Sequence, residues 1–186
     1  MYAANWDAYQ NVKFWKELDY IGINAYFPLA ADETPSVATL KKAWLPTFKE
    51  IQDYQRTIDR PVVFTEFGYL SVDGCAYNTW ELEGKVKSLP IDEQAQANAY
   101  QALYETFWKA EWWHGGFVWK WFPNMEGGEG YNDRDYTPQH KKGEETLQMR
   151  IYNVFRLQVR HSGLTFHMLL PNRATTHSSD CAMTRP

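Results

Sequence analysis

The chain has 186 residues and a formal net charge of −4 at pH 7. This length is enough for one hydrophobic core, and the acidic balance argues against nucleic acid or an anionic membrane surface as the main partner. No apolar run approaches the roughly 18–20 residues that span a bilayer, and the N-terminus lacks the basic and apolar segments of a secretory signal.

Cysteine usage predicts neither a disulfide framework nor a metal site, because Cys75 and Cys181 lie in unrelated contexts. No glycine-rich phosphate loop is present either, so we expect no metal and no cofactor. The unusual feature is an aromatic content of 17%, with nine tryptophans and twelve tyrosines. Aromatic rings stack on sugars and also fill cores, so this excess is compatible with both.

Two strands and one long helix are predicted in the first third of the chain. Residues 1–6 have the character of a strand end, and residues 7–18 are expected to form a short helical connection. A second strand is expected over residues 19–28, with Tyr26 near its carboxyl end. Apolar residues then recur at three- and four-residue intervals, which predicts an amphipathic helix from residue 37 to about residue 55.

The segment Pro61–Tyr69 carries the most information. It is apolar on both faces up to a single carboxylate, Glu66, and Gly68 follows where the chain must turn. Such a strand is typical of a parallel sheet that is buried on both sides. Glu66 would lie at its carboxyl end, where α/β barrels place catalytic groups. A buried carboxylate needs a partner, so Glu66 is either catalytic, half of a structural ion pair, or a carboxylate that reaches solvent at the strand end.

A loop, a helix and a fourth strand follow. Residues 70–90 form a long connection that contains a lone Trp80, and connections of this length are usually binding loops. A helix with Asp92 as its N-cap is predicted to run to about residue 112, ended by residues 114–116. The fourth strand is expected over residues 117–123.

Two tryptophans on this strand are candidate ligand contacts. Trp119 and Trp121 share parity and are expected to share a face. If that face points into a barrel, both indoles stand at the same end as Glu66. The alternative is plain packing under a helix.

The C-terminal part changes character. Asp133 and Asp135 lack the further spacing of a calcium loop, so we expect them in a solvated loop, and a last helix is expected to begin with Pro138. From residue 148 lysine disappears and arginine becomes frequent. We therefore expect residues 148–186 to be an unrelated or frameshifted, disordered tail, with a basic anion-binding arm as the alternative.

The alternation of strands and helices predicts an α/β fold with a parallel sheet. Four segments resemble, in order and spacing, strands five to eight of glycoside hydrolase family 113, a β-mannanase-like family of clan A. These segments are Tyr2–Trp6, Asp19–Pro28, Phe64–Tyr69 and Gly116–Trp121. The resemblance covers residues 1–147 and implies a partial catalytic domain, the C-terminal half of a TIM (β/α)8 barrel.

The resemblance implies a retaining glycoside hydrolase that acts on a β-linked polysaccharide or oligosaccharide, with β-1,4-mannan as the expected substrate. One carboxylate attacks the anomeric carbon, and a second protonates the leaving oxygen. Glu66 matches the nucleophile, and Tyr26 matches an aromatic residue that hydrogen-bonds it and favours its charged form.

The remaining implied contacts are to the sugar. Trp119 and Trp121 match the strand-eight position that forms a floor for the sugar ring, and Trp80 would add a wall. Asn5 and Trp6 match the end of strand five, where polar and aromatic groups line the cleft.

In this family the acid/base glutamate ends strand four, so we expect it to be absent from this chain. The glutamates at 81, 83, 126 and 129 lie on loops without a matching motif. We therefore expect a chain that is nearly inactive alone and that pairs with a missing N-terminal half-barrel or with itself. Two alternatives stay open: a non-catalytic carbohydrate-binding remnant and the non-functional product of a truncated gene.

Overall fold

The computed structural model of the chain describes residues 1–30, 34–123 and 132–149. Four strands in this part of the chain form one parallel sheet, in the order β1-β2-β3-β4. The strands are β1 (Tyr2–Asn5), β2 (Ile21–Asn24), β3 (Val62–Phe67) and β4 (Trp113–Val118). The predicted α/β fold with a parallel sheet is confirmed.

Helices follow β2, β3 and β4, whereas only 3₁₀ turns connect β1 to β2. The helices are α1 (Val37–Ile58), α2 (Thr79–Glu83) and α3 (Glu93–Phe107), and residues 142–149 are also helical. Local capping explains where two of them begin: Ser36 Oγ accepts a hydrogen bond from the Thr39 amide, and Asp92 Oδ1 accepts one from the Ala95 amide. None of the described helices is long and apolar enough to cross a membrane.

The core lies between the sheet and the two long helices. Trp44 of α1 meets Phe107 of α3 edge to face, with ring centroids 5.1 Å apart. Phe107 also contacts Phe64 of β3 at 4.9 Å. All three side chains are fully buried. Much of the high aromatic content therefore fills the core, as the apolar stripe of α1 predicts.

The predicted helix over residues 7–18 is wrong. Two short 3₁₀ turns, Tyr9–Asn11 and Trp15–Glu17, stand in its place. Trp15 donates its indole N–H to the Tyr9 carbonyl at 2.7 Å, and the Tyr9 hydroxyl donates to Glu50 at 2.8 Å. These tertiary contacts bury Tyr9 and Trp15, and they override the weak helical pattern.

The predicted boundary between the last long helix and the fourth strand is also wrong. The helix ends at Phe107, and β4 begins at Trp113 and includes both residues of the pair Gly115–Gly116. A Cβ on Gly116 would lie 2.6 Å from the carbonyl oxygen of Phe64. The glycine therefore serves the close approach of two strands and does not end a helix. Trp119 and Trp121 follow β4, so strand parity does not place them on one face.

Four further predictions concern the loops, the last helix and the tail. The connection over residues 70–90 contains α2 and a 3₁₀ turn at Val86–Ser88. Asp135 is fully buried, so the predicted solvated loop is wrong for this residue. The last helix begins at residue 142 and not at Pro138. The predicted unrelated tail lies outside the described residues, apart from residues 148 and 149, and stays a prediction.

Candidate active site

Polar side chains lie in a row across the carboxyl ends of three neighbouring strands. Asn5 of β1 is in register with Asn24 of β2, and Asn24 is in register with Glu66 of β3. The pairing register of β2 with β3 shifts between Ile23 and Asn24, so the ladder is irregular just before the polar side chains. Asn24 Oδ1 accepts a hydrogen bond from Thr65 Oγ1 at 2.8 Å. The strand ends thus bring the predicted Asn5 and Glu66 to one edge.

Glu66 and Tyr26 are joined directly. The Tyr26 hydroxyl donates a hydrogen bond to Glu66 Oε2 at 3.1 Å. Burial and the neighbouring Glu66 carboxylate raise the pKa of Tyr26 well above its usual range. Because Tyr26 stays protonated, it acts as a permanent donor that holds Glu66 Oε2 in one orientation.

A cavity of about 560 Å³ opens at this edge of the sheet. Its volume lies in the range of small-molecule sites. The residues that line it are Asn5, Trp6, Asp7, Tyr26, Glu66, Trp80, Glu83, Trp119 and Tyr136. Six of the seven predicted site residues are therefore brought together. Trp121 is not among the lining residues, and half of it is exposed.

Three tryptophans from distant parts of the chain form the aromatic part of this wall. Trp6 and Trp80 stack on each other, with ring centroids 5.4 Å apart and an interplanar angle of 22°. Trp80 belongs to α2, so the long connection after β3 reaches back to the end of β1. Trp119 and Trp80 are each 45% exposed, which is unusual because tryptophan side chains are mostly buried. Exposed aromatic faces beside a carboxylate are suited to sugar rings.

Gly68 allows Trp119 to reach this wall. A Cβ at position 68 would lie 1.9 Å from the backbone oxygen of Trp119 and 3.3 Å from the ring of Tyr136. The Trp119 amide donates to the Phe67 carbonyl at 2.7 Å, so the two segments run in close contact here. Any side chain at position 68 would push Trp119 away.

Sequence reasoning missed three of the lining residues. Asp7 directly follows the predicted Trp6, and this adjacency was the only available signal for it. Glu83 was expected on a loop with no motif, and it lines the cavity from α2, whose Trp80 stacks on Trp6. Tyr136 carried no signal, yet its ring contacts that of Tyr26 at 6.3 Å.

Three of the described lining residues carry carboxylates, namely Asp7, Glu66 and Glu83, and none of the described lining residues is Lys, Arg or His. Among the described residues, no group of three or more His, Cys, Asp or Glu side chains is arranged to hold a metal ion. The chemistry available at this cavity is that of carboxylates, a tyrosine hydroxyl and aromatic faces.

Two kinds of comparison match this chain to known proteins. A family model described as Glycoside Hydrolase Family 113 matches residues 1–141. A structure described as a GH113 β-1,4-mannanase is similar with 25% identity and a TM-score of 0.62, over 80% of this chain and 43% of that chain. A GH113 β-mannanase from Alicyclobacillus acidocaldarius shares the fold at 20% identity and a TM-score of 0.64, over 82% of this chain and 44% of that chain.

A β-glucuronidase from Faecalibacterium prausnitzii shares the fold more distantly, at 18% identity and a TM-score of 0.54, over 82% of this chain and 24% of that chain. No curated protein matches the chain. The chain spans less than half the length of the mannanase structures it matches. Because the family model matches 141 of its 186 residues, the chain belongs to glycoside hydrolase family 113.

Proposed function

We propose that this chain carries the nucleophile side of a retaining glycoside hydrolase that acts on β-1,4-mannan. The observation that carries the proposal is the hydrogen bond from Tyr26 to Glu66 in a cavity walled by tryptophans. Glu66 lies near the carboxyl end of β3, and one of its carboxylate oxygens accepts a hydrogen bond from a donor that stays protonated. This arrangement suits a carboxylate that must be correctly oriented for attack.

In the proposed reaction Glu66 attacks the anomeric carbon and forms a glycosyl-enzyme intermediate. Tyr26 holds the attacking carboxylate in one orientation. A second carboxyl group protonates the departing oxygen and later activates the water that releases the sugar. Trp119 and the stacked pair Trp6 and Trp80 bind the sugar rings.

The second carboxylate is proposed to come from a complementary half of the barrel. The support is that this chain aligns with about 43% of a family 113 mannanase, and that its parallel sheet has β1 and β4 as outer strands. Phe117 of β4 is 63% exposed, which is unusual for an apolar strand residue and fits an uncovered face. A separate N-terminal half-barrel or a second copy of this chain could complete the sheet.

The charge of the cavity supports a neutral substrate. Its described lining residues carry three carboxylates and no cation, so a uronic acid would meet repulsion and an unpaired charge. Mannan has no such charge. This distinguishes the proposed substrate from a glucuronide, although a glucuronidase shares the fold.

The nucleophile can be tested without the second carboxylate. A dinitrophenyl 2-deoxy-2-fluoro-β-mannoside has a leaving group that departs without protonation, and its fluorine slows the hydrolysis of the intermediate. We expect mass spectrometry to find one mannosyl adduct on Glu66 and none in Glu66→Gln. Glu81→Gln, in which an exposed glutamate of α2 outside the cavity is changed, is the matched control and should label normally.

Glu83→Gln separates the two glutamates of the cavity. If Glu66 attacks, Glu83→Gln still labels at position 66. An adduct on Glu83, or undiminished labelling of Glu66→Gln, would show that the nucleophile is misassigned.

Two alternatives have their own outcomes. A carbohydrate-binding remnant would bind mannopentaose in a calorimetric titration and would form no adduct. The product of a broken gene would show neither binding nor a cooperative unfolding transition in urea.

A further inference from the structure

We infer that Asp135 is a positioning residue for the sugar cavity, an inference that rests on the proposed function of that cavity. Asp135 is fully buried. Its Oδ2 lies 3.2 Å from Nζ of Lys120, as an ion pair without the alignment of a hydrogen bond. Its Oδ1 accepts a hydrogen bond from the Tyr136 amide at 2.6 Å. Both partners adjoin the cavity wall, because Lys120 follows Trp119 and Tyr136 itself lines the cavity.

The first arm of this arrangement fixes Trp119. On its N-terminal side the Trp119 amide is bonded to the Phe67 carbonyl. On its C-terminal side the next residue, Lys120, is paired with Asp135. A second pairing follows two residues later, where the Phe122 amide donates to Gln139 Oε1 at 2.6 Å and Gln139 Nε2 donates to the Phe122 carbonyl at 3.0 Å. The indole is therefore held between anchored residues.

The second arm fixes Tyr136 and, through it, the reacting carboxylate. The Tyr136 carbonyl accepts hydrogen bonds from Gln96 Nε2 at 3.2 Å and from the Tyr100 hydroxyl at 3.3 Å. With its amide on Asp135, both sides of this residue are tied. Its ring lies edge to face with that of Tyr26, which donates to Glu66. Asp135 thus acts on Glu66 through two aromatic neighbours.

The carboxylate is not needed to hold residue 135 itself. Its backbone oxygen already accepts hydrogen bonds from Lys141 Nζ at 3.0 Å and from Ser71 Oγ at 3.2 Å. A buried ion pair adds little net stability over apolar packing, since desolvation offsets the attraction. The side-chain contacts of Asp135 therefore serve its two partners, Lys120 and Tyr136.

Hydrogen exchange of the full chain, read by mass spectrometry, tests this positioning. Asp135→Asn and Lys120→Met should each accelerate exchange on the order of tenfold in residues 117–123 and 133–140, the size expected when a charged partner is lost. Exchange in α3 should stay unchanged. Lys120→Arg keeps the cation and should restore protection.

The matched controls remove an exposed ion pair of the same type. Lys49 and Asp53 form a surface pair at 2.6 Å, so Lys49→Met and Asp53→Asn should leave both segments unaffected. Unchanged exchange in Asp135→Asn and Lys120→Met, or equal acceleration throughout the chain in both, would overturn the inference. Should Asp135→Asn fail to fold, the comparison of Lys120→Met with Lys120→Arg still decides it.

Titration with mannopentaose gives a second readout, which a purely structural role would not move. Both variants should raise its Kd on the order of tenfold at an unchanged folded fraction. If the unaltered chain binds no mannopentaose and forms no adduct on Glu66, the proposed function fails, whereas the exchange comparison still decides whether Asp135 positions Trp119 and Tyr136.

Discussion

Tyr26→Phe isolates the contribution of one hydroxyl to the proposed nucleophile. The substitution removes the donor that lies 3.1 Å from Glu66 Oε2. It keeps the ring, and therefore the edge-to-face contact with Tyr136 at 6.3 Å. Any effect on the reaction of Glu66 then arises from the lost hydrogen bond and not from a cavity.

The magnitude follows from the charge of the acceptor. A hydrogen bond to a charged group contributes about 1.5–3 kcal/mol. Tyr26 and Glu66 are both only half-buried, so we take the middle of this range, about 2 kcal/mol. Since about 1.4 kcal/mol corresponds to a factor of ten, Tyr26→Phe should slow the labelling of Glu66 roughly 30-fold.

The effect should not depend on pH between about 5 and 9. The pKa of Tyr26 is raised above its ordinary value of 10.0 by burial and by the Glu66 carboxylate. A raised pKa means that the protonated hydroxyl, with its hydrogen bond, is fully present below pH 10 and is lost only above it. The ratio of the two labelling rates should therefore be flat across this window.

The assay is the rate of adduct formation with the fluorinated mannoside, measured by intact-mass spectrometry at several pH values. Tyr77→Phe, in which the hydroxyl of an exposed tyrosine outside the cavity is removed, is the control and should label at the unaltered rate. Equal rates for Tyr26→Phe and the unaltered chain would refute an orienting role for the hydroxyl. A ratio that changed steeply between pH 6 and 8 would refute the assignment of Tyr26 as a permanent donor.

Three further predictions concern the frame of the site. Gly68→Ala should lower the free energy of unfolding in urea by about 1–3 kcal/mol and shift the fluorescence of Trp119, because the alanine Cβ would lie 1.9 Å from the Trp119 carbonyl oxygen. Gly84→Ala is the control and should be tolerated, because a Cβ at position 84 would lie 3.9 Å from its nearest neighbour. Burial lowers the pKa of Lys141 from 10.5 to about 8. Between these two pH values the unfolded chain binds one more proton than the folded chain, so the free energy of unfolding should rise from pH 8 towards 10.5, by at most about 3 kcal/mol. Lys141→Met should abolish that rise. Trp44→Ala should cost about 3–5 kcal/mol in urea unfolding, because the indole is fully buried, and a loss below 1 kcal/mol would contradict its place in the core.

Local patterns were sufficient for the regular elements. The apolar spacing of α1 predicted its buried stripe, and Asp92 was recognisable as an N-cap because its carboxylate competes for the first free amides of a helix. The β3 segment was recognisable because a run that is apolar on both faces is typical of a strand that is buried on both sides of a parallel sheet. The position of Glu66 near its carboxyl end followed from the same run, and four segments together carried the family resemblance that the family match confirms.

The predicted boundary between α3 and β4 was wrong because glycine is compatible both with a helix end and with a closely packed strand. Gly115 and Gly116 were interpreted as a helix end, whereas they lie inside β4 next to the Phe64 backbone. A glycine in the sequence shows that the backbone is free to turn at that position, or that another segment can approach it closely. It does not show which of the two occurs. The shared face of Trp119 and Trp121 failed for the same reason, since it depended on that boundary.

By itself, then, the sequence determined the order of the strands and long helices from β2 onwards, the strand that carries Glu66 near its carboxyl end and, through the family resemblance, the tyrosine that donates to it. The tertiary structure alone decided that Glu83 and Tyr136 line the same cavity, and that Asp135 is buried. Strands and helices can be predicted because the spacing of apolar residues along the chain reflects which face of each element is buried. Tyr136, by contrast, is held by partners distant in the chain, since Gln96 and Tyr100 donate to its carbonyl from 40 and 36 residues away, and no local pattern predicts such contacts.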